Sequence, residues 1–294
     1  MRWKLAQFQM RPVKADVVAN TARVVDGLCA AVDNGAGMAC FSEACLSGYF
    51  LQGGVEEVAL PADEVVQRLQ AGLVAERPDA TIEVCLGFYE RDRGAIYNSA
   101  LYARLGRDTP GRGVGLVHVH RKIFPPSYGV FDEDRFVTRG LSVECFDTPF
   151  GRAAILICED AWHSICGTIA ALQGAEIILI PTASPGRDLR HDRPGNVRTW
   201  DHVCMMLAGE HGCWVASTDL LGFEGGKGFC GIATVHNPFG TCVSSGPMFD
   251  EAMVVTEIDP IDMTVARRRA PLIGSLQERI AALLAQLSSS AGGE

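Results

Sequence analysis

Short apolar, β-branched runs alternate with segments of helical spacing along nearly the whole chain, and this alternation most limits what it can fold into. Such runs bounded by polar residues read as buried strands, and apolar residues recurring every three or four positions read as helices. "RWKLAQFQM" predicts a first strand, and "DVVANTARVVDGLCAAV" a helix with Val17, Val24, Leu28 and Val32 facing inward. "MACFSE" is a second strand and residues 61–77 suit a helix. "TIEVCLGFYE" and "IYNSALYAR" are strands joined by a turn at Asp92–Gly94. "VGLVHVHRK" and Ala153–Ile157 follow as strands, then a helix from Glu159 that stops at Gly174, the strand "AEIILIP", a helix over Arg198–His211 and the strand "CWVAST". Late strands near 230–236 and 253–258 precede a last helix over 273–287, and "SSSAGGE" at 288–294 predicts a flexible tail. The pattern is that of an α/β protein. No linker or repeat divides it, so residues 1–287 are expected to form one domain.

Composition narrows the function classes. A net charge of −9 argues against a nucleic-acid partner. The run Arg267–Arg269 is the one basic cluster and reads as a solvated or interface patch. No stretch approaches the roughly 18 apolar residues of a membrane span. "MRWKLAQFQMRP" breaks its apolar run with Lys4 and Gln7, unlike a signal peptide. The 11 cysteines are odd in number and lack a C-x-x-C pair, which predicts a reduced, cytoplasmic chain without disulfides or structural zinc.

Three reactive side chains stand where predicted strands end. Glu43 closes "MACFSE", Lys122 closes "VGLVHVHRK", and Cys158 follows "AAILI". Taken singly, each is an ordinary strand-end residue. Together they have a chemical logic. A thiol attacks as thiolate or with a base at hand, a carboxylate supplies that base, and an ammonium group stabilises an oxyanion. Strand ends can converge on one edge of an α/β sheet. A helix starting after Cys158, together with Lys122, is expected to lower its thiol pKa, with Glu43 opposing.

"FSEACLSGY", "HRKIFPPSYGVFDE" and "ILICEDAWHS" resemble, in order, the signature blocks of the nitrilase superfamily of carbon–nitrogen hydrolases. "GAEIILIPTASP", "GFEGGKGFCGIATVHNPFG" and "ARRRAPLIGSL" extend the resemblance over nearly the whole chain. Ser42 departs from it, standing where many members have proline. The resemblance implies a four-layer α-β-β-α sandwich. Cys158 would be the nucleophile that forms a thioester, Glu43 the general base and Lys122 the oxyanion stabiliser, with Glu133 supporting Lys122. The backbone N–H of Glu159 would join Lys122 as oxyanion donor. No metal or organic cofactor is implied. Homodimers or larger homo-oligomers are, with residues 259–273 resembling the C-terminal stretch that packs near the partner. Tyr49, Tyr128, Trp162 and His163 flank the blocks and are candidate pocket walls or ordinary packing residues.

"CEDAW" after the nucleophile resembles the glutamine-hydrolysing domains of NAD synthetases and stand-alone amidases near them. "SSGPMFD" does not supply the ATP loop of a synthetase, so the expectation is a free-standing amidase acting on a small amide or carbamoyl compound. A nitrilase or a thioester-using acyltransferase is the enzymatic alternative, and a catalytically dead binding protein of the same fold the non-enzymatic one. "GRGVGL" at 111–116 lacks the G-x-G-x-x-G pattern of a dinucleotide-binding oxidoreductase and precedes a strand. His118 and His120, alternating on one strand without a nearby partner, are a weak zinc motif.

Overall fold

The computed structural model describes residues 1–108, 113–188 and 193–291. The motif at 111–116 lies partly outside these residues. The first half of the chain builds β1 (Trp3–Gln9), α1 (Val17–Asp33), β2 (Met38–Cys40), the short α2 (Val55–Val58), α3 (Ala62–Glu76), β3 (Thr81–Asp92), β4 (Ala95–Gly106) and β5 (Gly115–Arg121). The second builds β6 (Cys145–Thr148), β7 (Gly151–Ile155), α4 (Ser164–Leu172), β8 (Ile177–Thr182), α5 (Gly195–His211) and β9 (Trp214–Asp219). It continues with the hairpin β10 (Leu221–Glu224) and β11 (Lys227–Cys230), then β12 (Ala233–His236), β13 (Cys242–Ser245) and β14 (Ala252–Ile258). Helices α6 (Pro260–Arg269), α7 (Leu272–Gln277) and α8 (Ile280–Ala291) complete the described chain.

Two six-stranded mixed sheets result, ordered β14-β1-β2-β3-β4-β5 and β13-β12-β9-β8-β7-β6. Strand residues alternate between two buried faces, which is why the strands read as nearly continuous apolar runs. On β3, Ile82, Val84, Leu86 and Phe88 pack with Val24, Leu28, Leu69 and Leu73 of α1 and α3. Cys85 instead joins Leu5, Tyr102, Ile155, Leu179 and Trp214 in the core between the sheets. On β8, Ile178 and Ile180 pack with Ala170 of α4 and Cys204 and Leu207 of α5. These three apolar interfaces make four layers, α-β-β-α.

Four expectations need correcting. The segment after Cys158 is not yet α-helix: Cys158–Trp162 form a 3-10 turn, and α4 begins at Ser164. The single helix expected over 273–287 is two helices, α7 and α8, and α8 runs on to Ala291, while 292–294 lie outside the described residues. Residues 260–269 form a helix of their own, started by Asp259, whose side chain accepts from the Ile261 N–H. Arg267 is not a free surface charge, since its guanidinium donates to the carbonyls of Gly212 and Ala175 at 3.1 and 2.6 Å.

Candidate active site

Glu43, Lys122 and Cys158 each sit just past the end of a strand, β2, β5 and β7 respectively. The turn carrying Glu43 lies directly against β3. Gly87 of β3 donates to Ser42 O and accepts from Cys45 N, at 3.1 and 3.0 Å. A Cβ on Gly87 would stand 2.5 Å from the Glu43 Cα, so only glycine permits this approach. Cys158 holds a left-handed backbone, φ 47°, which is strained for a residue with a Cβ.

Asp160 ties two of these strand ends together. Its Oδ1 accepts from the N–H groups of Ile123 and Phe124, both at 3.0 Å. Its Oδ2 accepts from Ile157 N at 3.1 Å and meets His120 Nε2 at 2.9 Å. One buried carboxylate thus fixes the backbone after Lys122 against the backbone before Cys158. His118 turns elsewhere and stacks on Phe146 at 4.6 Å.

Lys122 Nζ donates to Glu43 Oε1 and Glu133 Oε2, each at 2.7 Å. Asn98 Nδ2 spans the same carboxylates, at 2.7 Å to Glu43 Oε1 and 2.6 Å to Glu133 Oε1. Tyr49 OH donates to Glu133 Oε2 from behind. All of these side chains are buried. Glu43 Oε2 is also buried, yet has no hydrogen-bond partner among the described residues. Leaving such an acceptor unpaired is costly.

Electrostatics follow from this packing. Burial pushes the Glu43 carboxyl up, Lys122 opposes and Glu133 adds, leaving it at about 7. Burial pulls the Lys122 ammonium down, but Glu133, Glu43 and Cys158 outweigh it and hold it well above its ordinary value. The Cys158 thiol is raised well above its usual value, by burial first and Glu43 second, against the pull of Lys122 and the Ala183 N–H. The expected lowering is therefore reversed. The helix that was to favour the thiolate starts six residues beyond Cys158, and desolvation dominates.

A cavity of about 630 Å³ opens over Cys158, lined also by Tyr128, Phe131, Glu159, Trp162 and Trp200. Tyr128 OH donates to the Glu159 carboxylate at 3.0 Å, and Trp162 meets Trp200 edge-on at 5.4 Å. The other two candidate wall residues stand elsewhere. Tyr49 is buried behind Glu133 and borders a separate small cavity with Tyr89 and Phe136. His163 stacks on Phe124 at 3.7 Å and is outside the lining of the large cavity among the described residues. Sequence reasoning passed over Asn98 and Asp160. An asparagine buried at mid-strand in β4 was the available signal for the first.

Residues 4–268 match the sequence model of the carbon–nitrogen hydrolase family. The glutamine-dependent NAD(+) synthetase of Thermotoga maritima is 24% identical over 273 residues, covering 88% of this chain and 42% of that protein. The chain thus spans less than half the length of such curated relatives. N-carbamoylputrescine amidase of Solanum lycopersicum is 26% identical over 258 residues, covering 83% of this chain and 82% of that protein. Among solved structures, a variant of the amidase from Nesterenkonia sp. AN1 superposes with a TM-score of 0.71 at 20% identity, covering 91% of this chain and 94% of that one. That structure shows covalent addition of the acetamide moiety of fluoroacetamide at its active site cysteine.

Proposed function

The chain belongs to the carbon–nitrogen hydrolase family, and on that premise we propose that it hydrolyses the C–N bond of a small linear amide or carbamoyl compound through a thioester on Cys158. The unpartnered Glu43 Oε2, buried on a carboxylate whose other oxygen is held by Lys122 and Asn98, carries this reading. A thiol kept protonated by burial needs a base at the moment of attack, and Glu43 with a pKa of about 7 suits that role. The cysteine adduct in the Nesterenkonia amidase and the amidase from tomato support the same chemistry.

In this mechanism the Cys158 sulfur attacks the carbonyl carbon as Glu43 takes the thiol proton. Lys122, with the backbone N–H of Glu159, stabilises the resulting oxyanion. The intermediate collapses by breaking the C–N bond, and Glu43 returns its proton to the departing nitrogen, which leaves as ammonia or an amine. Glu43 then deprotonates water, which attacks the thioester. The acid departs and the proton returns to the sulfur. Glu133, Asn98 and Tyr49 hold Lys122 and Glu43 in place throughout. Tyr128, Glu159 and Trp162 form the wall against which the rest of the substrate lies.

The test is release of ammonia or amine from a panel of amides (L-glutamine included), carbamoyl compounds and nitriles, against a Cys158→Ala control. Turnover of at least one amide or carbamoyl compound that the control lacks is expected. Turnover confined to nitriles, or equal in the control, would overturn the proposal. Glu43 works as a base only when ionised, so kcat/KM should fall as pH drops through about 7 and level off above it. A profile flat from pH 5 to 8 would remove Glu43 from the role.

A further inference from the structure

The β10–β11 hairpin belongs to neither six-stranded sheet and forms a two-stranded sheet of its own. Such a hairpin is marginal alone, so it depends on what it packs against. This one closes on the turn that follows Glu43. Glu224, the last residue of β10, is buried, and its Oε2 accepts from the N–H groups of Tyr49 and Phe50, each at 2.8 Å. A Cβ on Gly48 would stand 2.7 Å from Glu224 Oε1, so any other residue there would push the carboxylate aside. Lys227 of β11 places its Nζ 4.2 Å from the centre of the Phe50 ring, and Phe229 meets the same ring at 5.7 Å. Burial raises the Glu224 carboxyl, against the pull of the Phe50 and Tyr49 N–H groups and Lys14. Its Oε1 has no hydrogen-bond partner among the described residues. A carboxylate so placed is costly to bury unless its two bonds to the turn offset the loss of water.

What the carboxylate holds is Tyr49. The backbone N–H of Tyr49 is fixed by Glu224, and its carbonyl accepts from Tyr89 OH at 2.9 Å. The side chain reaches the other way, its hydroxyl donating to Glu133 Oε2. That same oxygen accepts from Lys122 Nζ at 2.7 Å. A continuous path therefore runs from Glu224 through Tyr49 and Glu133 to the ammonium of Lys122. We propose that Glu224 is a positioning residue for Lys122: by holding the Tyr49 backbone it aims the Tyr49 hydroxyl at Glu133, and so fixes the carboxylate on which Lys122 rests. The inference rests on Lys122 acting in the hydrolysis proposed above. Glu224 is outside the lining of the cavity over Cys158 among the described residues, so it acts on turnover and not on substrate capture.

The test is a double-mutant cycle in the full chain. Glu224→Ala removes the acceptor, and Tyr49→Phe removes only the hydroxyl through which Glu224 acts. Each single variant should lose about tenfold in kcat, the size of one hydrogen bond to a charged group, with KM changed by less than about twofold. The double variant should be no slower than the slower single one, because both changes work through one contact. A folded Glu224→Ala variant with the parental kcat would overturn the proposal. So would a double variant slower by the product of the two losses, the result expected if Glu224 merely supports the hairpin. Should Glu224→Ala not fold, Glu224→Asp takes its place in the cycle. It keeps the charge but withdraws the carboxylate by one methylene, and the same two outcomes decide. Failure of the hydrolytic reading shows separately, as turnover surviving in Cys158→Ala. If no amide is accepted, the cycle is read on the rate of Cys158 alkylation by iodoacetamide near neutral pH. Burial and Glu43 oppose the thiolate there and the Lys122 charge favours it, so each single variant should slow alkylation and the double variant no further. Alkylation at the parental rate in Glu224→Ala, or losses that multiply, would again overturn it.

Discussion

Cys158→Ala is expected to bring amide hydrolysis down to the uncatalysed background, a loss of roughly 10⁴-fold or more, as for other enzymes stripped of a nucleophile. The fold should be unaffected. Only one sulfur is removed, and alanine at φ 47° carries the same backbone strain as cysteine. Glu43→Gln should cost a comparable amount, because a thiol held protonated cannot attack without its base. The two act as a unit, so the double variant should be no slower than either single one. Measurable additivity, with the double variant slower by the product of the single losses, would mean that Glu43 and Cys158 contribute independently.

Lys122→Met should abolish turnover and also destabilise the protein strongly. Removing the ammonium leaves Glu43 and Glu133 facing each other in the interior, both previously bonded to it at 2.7 Å. Breaking a buried pair in this way costs about 3–5 kcal/mol, equivalent to a drop in Tm of about 5–8 °C for a chain of this length. The variant's carboxyl pKa values should lie above their unfolded values. Its folded state then holds protons that the unfolded chain releases, so its stability should be greatest at acid pH and fall as pH rises from about 5 to 8. Adding Glu133→Gln should restore part of the lost stability while leaving the enzyme inactive. Thermal melts of the three forms at pH 5 and 8 decide it. An unchanged Tm in Lys122→Met would mean that the two carboxylates do not depend on the ammonium.

The alternation of strands and helices was readable because both faces of each sheet are buried. That burial writes itself into the sequence as apolar runs such as "VCLGF" and "IILIP". Short elements with little burial were not readable: β13, with Cys242 and Val243 exposed, has no apolar run to announce it. The 3-10 turn after Cys158 was read as α-helix because "EDAW" is compatible with either, and only the clamp by Asp160 decides between them. Glu43, Lys122 and Cys158 are separated by 79 and 36 positions, so their meeting could be anticipated only through resemblance to a known family. The direction of the thiol shift was beyond the sequence for a different reason. It depends on how completely the site is buried, a property of the packed sheets and not of any local stretch. Asn98 looked like an ordinary polar residue at a strand position, and its partners come from far along the chain, Glu43 in the turn after β2 and Glu133 in a 3-10 turn after β5. Tyr49 lay close in sequence to Glu43 and was read as a pocket wall. The turn instead carries it beneath Glu133, where its hydroxyl is a support.

The central claim is a covalent acyl enzyme on Cys158, assembled with Glu43 as base. It is tested most directly by mixing the protein with an accepted amide, quenching in acid within milliseconds to seconds, and measuring intact mass followed by peptide mapping. A mass gain equal to the acyl group, carried by the peptide containing Cys158 and absent from Cys158→Ala, is the expected result. Turnover with no adduct at any time, or an adduct confined to another of the 11 cysteines, would contradict it.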